Sequence, residues 1–306
     1  MRVLVTNDDG VEGPGLHALA AAVAGLGHDV VVVAPTVDMS GAGASIGRMS
    51  AFPDLDAIPV VLPGAEGVPA YSLAGPPGMC VLACRLGALG DPPDLVVSGI
   101  NPGCNTGRAV LHSGTVGAAL TAANFGAKGL AVSIDMPRTV APTDAEAEAE
   151  TGTGTVAGGY VETEVEPEGK SEAEGPKWST AAAFVARAVA WLVDAPNGTV
   201  LNVNAPDLPL DQVRGVRWAS LAPFGTVRTT VVQPLGRDGG RLQLELRPGP
   251  RGTSDLPEDS DSALVKAGFV TITRLTGIQA TDPLDPAEVF GPDAAEVPGT
   301  GGGAAP

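Results

Sequence analysis

The chain is poor in several things, and each shortage excludes something. Aromatic residues make up only 4% of its 306 positions, so Ala, Val and Leu must fill whatever core it builds. Three cysteines, Cys80, Cys84 and Cys104, are an odd number without a scaffold spacing, which fits reduced thiols in a cytoplasmic protein better than a disulfide framework. Cys80 and Cys84 lie four apart, one helical face, and core packing accounts for them. The three histidines, His17, His28 and His112, are scattered and form no zinc pattern. Basic residues are scarce, 18 against 35 acids, for a net charge of -17. That balance argues against a nucleic-acid duplex or an anionic membrane as partner, but not against a small anion, because a bound metal dominates its own site. No apolar run approaches the ~18 residues of a membrane helix, and the N-terminus enters a strand directly, with no signal-peptide pattern. There is no G-x-G-x-x-G after the first strand, no Gly-Lys-Ser/Thr phosphate loop and no G-x-S-x-G elbow, which removes dinucleotide redox chemistry and the commonest nucleoside-triphosphate and serine-hydrolase sites.

What is present is organised around Arg2–Gly15, RVLVTNDDGVEGPG. An apolar strand runs into two adjacent carboxylates, Asp8 and Asp9, then glycines, then a helical pattern from Leu16 to Leu26. Strand, acids, glycines and helix are how an open α/β sheet builds a site at the carboxyl edge of its strands. Adjacent carboxylates repel unless a cation or a shared proton compensates, and a hard, oxygen-loving metal is the simplest compensation. The plainer alternative is one Asp capping the helix and the other solvated. Asp29–Ala34 is a second continuous apolar run, so residues 2–34 read as a right-handed βαβ unit.

The small-residue loop Thr36–Gly47 leaves the same edge. Short strands are expected near Val60–Leu62 and Ala70–Leu73, a helix over Gly78–Leu89, a buried strand at Asp94–Ser98, a helix from Ser113 with Ser113 or Thr115 as N-cap, and a strand at Gly129–Ile134. An amphipathic helix follows over Trp178–Val193, then a strand at Thr199–Asn204. Thr226–Gln233 and Arg241–Arg247 alternate polar and apolar residues, reading as an exposed hairpin outside the main sheet. A short helix at Ser262–Ala267 and a strand at Phe269–Arg274 end the ordered pattern. The expected organisation is an α/β core over 1–138 carrying the metal site, an acidic insertion over 139–177, a second core part over 178–205, a hairpin region for oligomerisation over 206–282 and a tail over 283–306. Residues 141–176 hold ten acids and one base, -9 of the chain's -17, with almost no large apolar side chains, so that segment is expected to be disordered.

Three loops thus converge at one sheet edge: Asn7-Asp8-Asp9-Gly10, Ser40-Gly41, and Asn101 with its neighbours. Two carboxylates, a hydroxyl and an amide oxygen suit one Mg²⁺ or Mn²⁺ ion with waters completing its shell. The turn Ser113-Gly114-Thr115 opens a helix, and free N–H groups there, with the helix dipole, would favour a phosphate. His112 is the one histidine near this edge.

In order, VTNDDGVEGPGLHAL, VVVVAPTVDMSGAGASI, DLVVSGINPGCNTG, HSGTVGAAL and LNVNAP resemble the SurE family of metal-dependent nucleotidases over about residues 1–135 and 178–275. The resemblance implies a Rossmann-like, mostly parallel sheet, and Asp8, Asp9, Ser40 and Asn101 as metal ligands. It implies release of phosphate from nucleoside 5′- or 3′-monophosphates, with Asp8 and Asp9 at the catalytic centre and Asn101, Ser113, Gly114 and Thr115 on the substrate phosphate. It also implies a homodimer or homotetramer formed by exchanged C-terminal elements, the matching region being Thr226–Arg247. The chain departs from the family where Gly-x-Asp and a Tyr usually precede Ser-Gly-Thr: Arg108 and His112 stand there. Thr121 replaces a usual Glu, and Gly75-Pro76-Pro77-Gly78-Met79-Cys80 replaces Gly-Thr-Pro-x-Asp-Cys. Two other readings stay open: a phosphatase tailored to one phosphorylated biosynthetic metabolite, and a metal- and nucleotide-binding protein with little catalysis.

Overall fold

Continuous apolar strands flanked by helices can bury both faces only inside a parallel sheet, and the computed structural model has that arrangement. It describes residues 1–47, 55–136, 176–223, 227–233, 243–248 and 256–278. The acidic insertion, apart from residues 176 and 177, and the tail expected from the sequence lie outside the described residues.

The strands are β1 (Arg2–Thr6), β2 (Asp29–Pro35), β3 (Ala57–Val60), β4 (Ala70–Leu73), β5 (Leu95–Pro102), β6 (Lys128–Asp135), β7 (Val200–Pro206), β8 (Val216–Trp218), β9 (Val227–Gln233), β10 (Gln243–Pro248) and β11 (Val270–Leu275). The helices are α1 (Pro14–Ala24), α2 (Pro77–Arg85), α3 (Gly114–Asn124), α4 (Trp178–Asp194) and α5 (Asp261–Lys266). Nine strands form one sheet in the order β3-β4-β2-β1-β5-β6-β7-β11-β8. All its pairings are parallel except β3 with β4 and β7 with β11. β9 and β10 make a separate antiparallel pair, as the alternating sequence implied. The segment assigned to an oligomerisation region also completes the core sheet, because β8 and β11 both belong to it.

Side chains alternate across the sheet. Val3, Val5, Val97, Val132 and Val203 face α1 and α4 in the larger apolar cluster. Leu4, Val96, Met79, Cys80 and Ala118 form the opposite cluster with α2 and α3. Each fully buried Val or Leu contributes on the order of 1.5–3 kcal/mol, so aliphatics suffice where aromatics are few. In α4 the buried Ala181, Val185, Val189 and Leu192 recur at near-helical spacing, the stripe that docks it on the sheet. Cys80 and Cys84 are core residues, as their spacing implied; burial pushes the Cys80 thiol far up and Cys84 up to about 12.

Candidate active site

The site forms where β2, β1 and β5 end side by side. β1 stops at Thr6 and the chain turns through Asn7, Asp8, Asp9 and Gly10 into α1. Gly10 has φ +93°, and a side chain there would meet the Val37 backbone at 3.1 Å, so the turn needs glycine twice over. Asn7 Nδ2 donates to the Gly10 carbonyl at 2.9 Å and closes the turn.

Asp8 is buried, whereas Asp9 is half-buried beside Gly13. The Asp8 carboxylate faces the N-terminus of α3. Thr115 Oγ1 donates to Asp8 Oδ1 at 2.5 Å, and the Gly114 and Thr115 backbone N–H groups also stabilise its charge. Burial outweighs these donors and holds the Asp8 carboxyl above its usual range. A Cβ on Gly114 would lie 2.8 Å from Asp8 Oδ2, so glycine is required for this approach. The N–H groups expected to hold a phosphate therefore already serve Asp8. Ser113 caps α3 by accepting from Val116 N–H at 3.1 Å, and Thr115, the other candidate cap, serves Asp8 instead.

The β2–β3 loop is pinned to the same place. Met39 N–H donates to the Asp8 carbonyl at 2.7 Å, which brings Ser40, exposed, alongside. Ser40 N–H donates to the Asp38 carboxylate at 2.7 Å, an Asx turn that shapes the loop. Asn101 comes from the neighbouring strand: β5 pairs with β1 through Thr6 and Ser98, and Asn101 lies three residues on. Its Nδ2 donates to the Gly103 carbonyl at 2.6 Å, which commits the amide nitrogen and leaves Oδ1 as the side chain's acceptor. All four expected metal ligands thus reach one sheet edge, and the Ser113–Thr115 turn reaches it with them.

The donor set fits a hard divalent cation. It is all oxygen, and it includes a buried carboxylate whose burial penalty a cation would offset. Asn7 Oδ1 is also buried without a hydrogen-bond partner among the described residues, an acceptor that a metal-bound water would satisfy. No cluster of three or more His, Cys, Asp or Glu suited to a metal occurs among the described residues.

Sequence reasoning missed what holds Asn101 in place. Asn105, on the loop after β5, donates its N–H to Asn204 Oδ1 at 2.8 Å and its Nδ2 to Ser133 Oγ at 2.9 Å. Its carbonyl accepts from Asn202 Nδ2 at 2.8 Å and Asn204 Nδ2 at 3.1 Å. Farther along, Gly107 N–H donates to Asp261 Oδ2 at 2.8 Å, and Ser262 Oγ donates to Thr106 Oγ1 at 2.8 Å. β7 and α5 thus clamp the loop that begins at Asn101 on β5. Asp261 is fully buried and accepts three backbone N–H groups, yet burial still raises its carboxyl. Cys104, beside Asp135, is likewise pushed up by burial. Within LNVNAP the alternation of Asn202 and Asn204 with aliphatics was the available signal.

The family model for "Survival protein SurE" matches residues 3–225. The chain belongs to the SurE family. The 5′-nucleotidase SurE of Aeromonas hydrophila is 32% identical over 279 residues, covering 90% of this chain and 92% of that protein. The 5′-nucleotidase SurE of Methanopyrus kandleri is 34% identical over 94% of this chain and 95% of its own. A 5′/3′-nucleotidase SurE from Edwardsiella ictaluri is 31% identical over 90% and 89%. The crystal structure of the SurE protein from Aquifex aeolicus superposes with a TM-score of 0.63 at 25% identity, covering 90% of this chain and 93% of that one. Within this SurE chain the departures separate by location. Met79 is buried in the α2–α3 cluster, and Thr121 is buried with its hydroxyl donating to the Gly117 carbonyl at 2.7 Å. Arg108 and His112 are exposed.

Proposed function

We propose that this chain is a divalent-metal-dependent nucleotidase that hydrolyses nucleoside 5′- or 3′-monophosphates to nucleoside and phosphate. The observation that carries the reading is the buried Asp8 carboxylate at the edge where Asp9, Ser40 and Asn101 also arrive. The membership in a family whose relatives are named 5′- and 5′/3′-nucleotidases supports it.

Asp8 and Asp9 supply the charge of the metal site, and Ser40 and Asn101 complete it with neutral oxygens. These four residues would hold one Mg²⁺ or Mn²⁺ ion, which when bound would polarise phosphoryl oxygens and lower the pKa of an attacking water. Thr115 Oγ1 holds the Asp8 carboxylate in one orientation, and Gly103, through its carbonyl, holds the Asn101 amide. The N-terminus of α3 at Ser113, Gly114 and Thr115, beside Asp8, would supply the donors for a phosphoryl oxygen together with Asn101. Donors aimed where charge develops are the largest single contribution in many enzymes. Asp8 or Asp9 also accepts the proton of the attacking water when not fully engaged.

The free, buried thiols of Cys80 and Cys84 support a cytoplasmic setting. No helix among the described residues is long and apolar enough to cross a membrane. The separate β9–β10 hairpin is the element through which copies associate, because an isolated hairpin is marginal alone.

Asp9→Asn tests the reading, since it keeps the size and removes one charge. Metal affinity, by calorimetric titration of Mg²⁺ and Mn²⁺, is expected to fall at least about tenfold, with phosphate release falling alongside. Asn caps a helix nearly as well as Asp, so a capping role would leave both unchanged. Full affinity and activity in the variant would remove Asp9 from the ligand set.

A further inference from the structure

The turn 107–112, exposed at Arg108, Leu111 and His112, joins the β5 loop to α3, whose N-terminus faces Asp8. It ends at His112, immediately before the cap Ser113, and its far end at Arg108 lies on the order of 10 Å along the turn from that cap. Gly43 N–H donates to the His112 carbonyl at 3.2 Å, joining this turn to the loop that carries Ser40.

The chemistry of that rim is unusual for this chain. With 35 acids to 18 bases, a cation seldom lacks a carboxylate or carbonyl to meet. Arg2 pairs with Asp29, Lys128 bonds the Val193 carbonyl, and Arg214 and Arg217 stack on Phe269. Arg108 makes no hydrogen bond, ion pair or ring contact among the described residues, and His112 offers an exposed imidazole N–H four residues on. Arg274, similarly placed in solvent, pairs in register with Leu201, toward the opposite edge of the sheet. Leu111 beside His112 is 73% exposed and Val37 across the site is 57% exposed. Residues 7–13, 36–47 and 101–115, the three site loops, contain no Phe, Tyr or Trp on which a base could stack.

We propose that Arg108 and His112 form a second anion subsite, and that the preferred substrate is a phosphomonoester whose leaving group bears a further anionic group. This rests on the nucleotidase reading above and adds the substrate class. A planar guanidinium and an N–H donor on one short turn suit a second phosphate or a carboxylate, whereas the aliphatic rim offers a base little beyond contact. Because both groups are solvated, ionic strength screens their attraction.

The experiment compares kcat/KM, with saturating Mn²⁺, for an aryl phosphate, a nucleoside 5′-monophosphate, the 3′,5′-bisphosphate of the same nucleoside and a phosphorylated sugar acid. It uses the full chain and its Arg108→Gln, His112→Gln and double variants. The wild type is expected to favour the two doubly anionic substrates at least about tenfold over the monophosphate at low salt. That ratio, rather than any single rate, should fall toward about twofold in the double variant and in high salt. The bisphosphate alone being favoured identifies a phosphate subsite, and the sugar acid alone a carboxylate subsite; either sustains the proposal. A wild-type ratio near one, or a ratio the variants do not change, overturns it while aryl phosphate turnover leaves the nucleotidase reading standing. No turnover of any substrate overturns both.

Discussion

Thr115→Val isolates one interaction at the metal site. It exchanges a hydroxyl for a methyl at a fully buried position of nearly the same shape, so packing on α3 is preserved. What is lost is the 2.5 Å donation to Asp8 Oδ1. A hydrogen bond to a charged group contributes about 1.5–3 kcal/mol, and the carboxylate it leaves is buried. Metal-free protein at neutral pH should lose about that much, or roughly 3–12 °C of melting temperature at the ~2–4 °C per kcal/mol of a chain this large. Protonation alters the outcome in a defined direction. The Asp8 carboxyl is already held above its ordinary 3.8 by burial, and the Thr115 bond is among the influences pulling it down. Without that bond the folded-state pKa rises further, so the penalty is largest where Asp8 is ionised and shrinks as the pH falls through its folded pKa. Thr115→Ser keeps the donor and should restore most of the stability. Metal affinity should fall about 10–100-fold in the Val variant, the usual consequence of removing a partner that orients a ligand. Melting curves in chelator from acid to neutral pH, together with metal titration, decide the matter. A Val variant as stable as the Ser variant at neutral pH, with undiminished metal affinity, would refute the role given to Thr115.

Asn204→Ala removes the two side-chain bonds that grip the Asn105 backbone, Oδ1 accepting from its N–H and Nδ2 donating to its carbonyl. Stripping a buried partner costs ~1–3 kcal/mol per orphaned group, and metal affinity should also drop if the loop orients Asn101; a lower melting temperature with unchanged affinity would show the network to be structural only. Burial raises the folded-state carboxyls of Asp8, Asp135 and Asp261, so the native state binds more protons than the unfolded one just above 3.8. Stability of the metal-free protein should therefore decline as pH rises through those folded values, and Mg²⁺ should flatten the decline; chelator-treated melting that improves with pH across that window would contradict it. Removing Val227–Leu246 should give a smaller species by light scattering, and an unchanged mass would take the β9–β10 hairpin out of the assembly interface.

Much of this could be read in the chain because one signal dominates each part. β1, β2 and β5 are continuous aliphatic runs, which only a doubly covered parallel sheet accommodates, and the acids and small residues after them mark its carboxyl edge. Edge strands were harder. β8 is three residues long, and β3 carries Pro59, tolerated because an edge strand has unpaired N–H positions. That β11 returns antiparallel beside β7 depends on the long excursion through residues 207–269, and no local pattern encodes it.

The site divides along the same line. The proposed ligands could be named from residue type and loop position; the contacts that support them could not, because a support acts between segments far apart in sequence. Thr115 is 107 residues from Asp8, and Asp261 is 154 from Gly107. The strand Val200–Pro206 still contained a readable clue. Leu201 and Val203 face the larger cluster, so Asn202 and Asn204 must point together to the other face, fully buried. Two buried amides on one face need partners, and an irregular loop with unpaired backbone groups is the obvious source. The loop after β5 is that source. The most polar face of a core strand therefore marks where the loop carrying a ligand is tied down, two strands from the ligand itself.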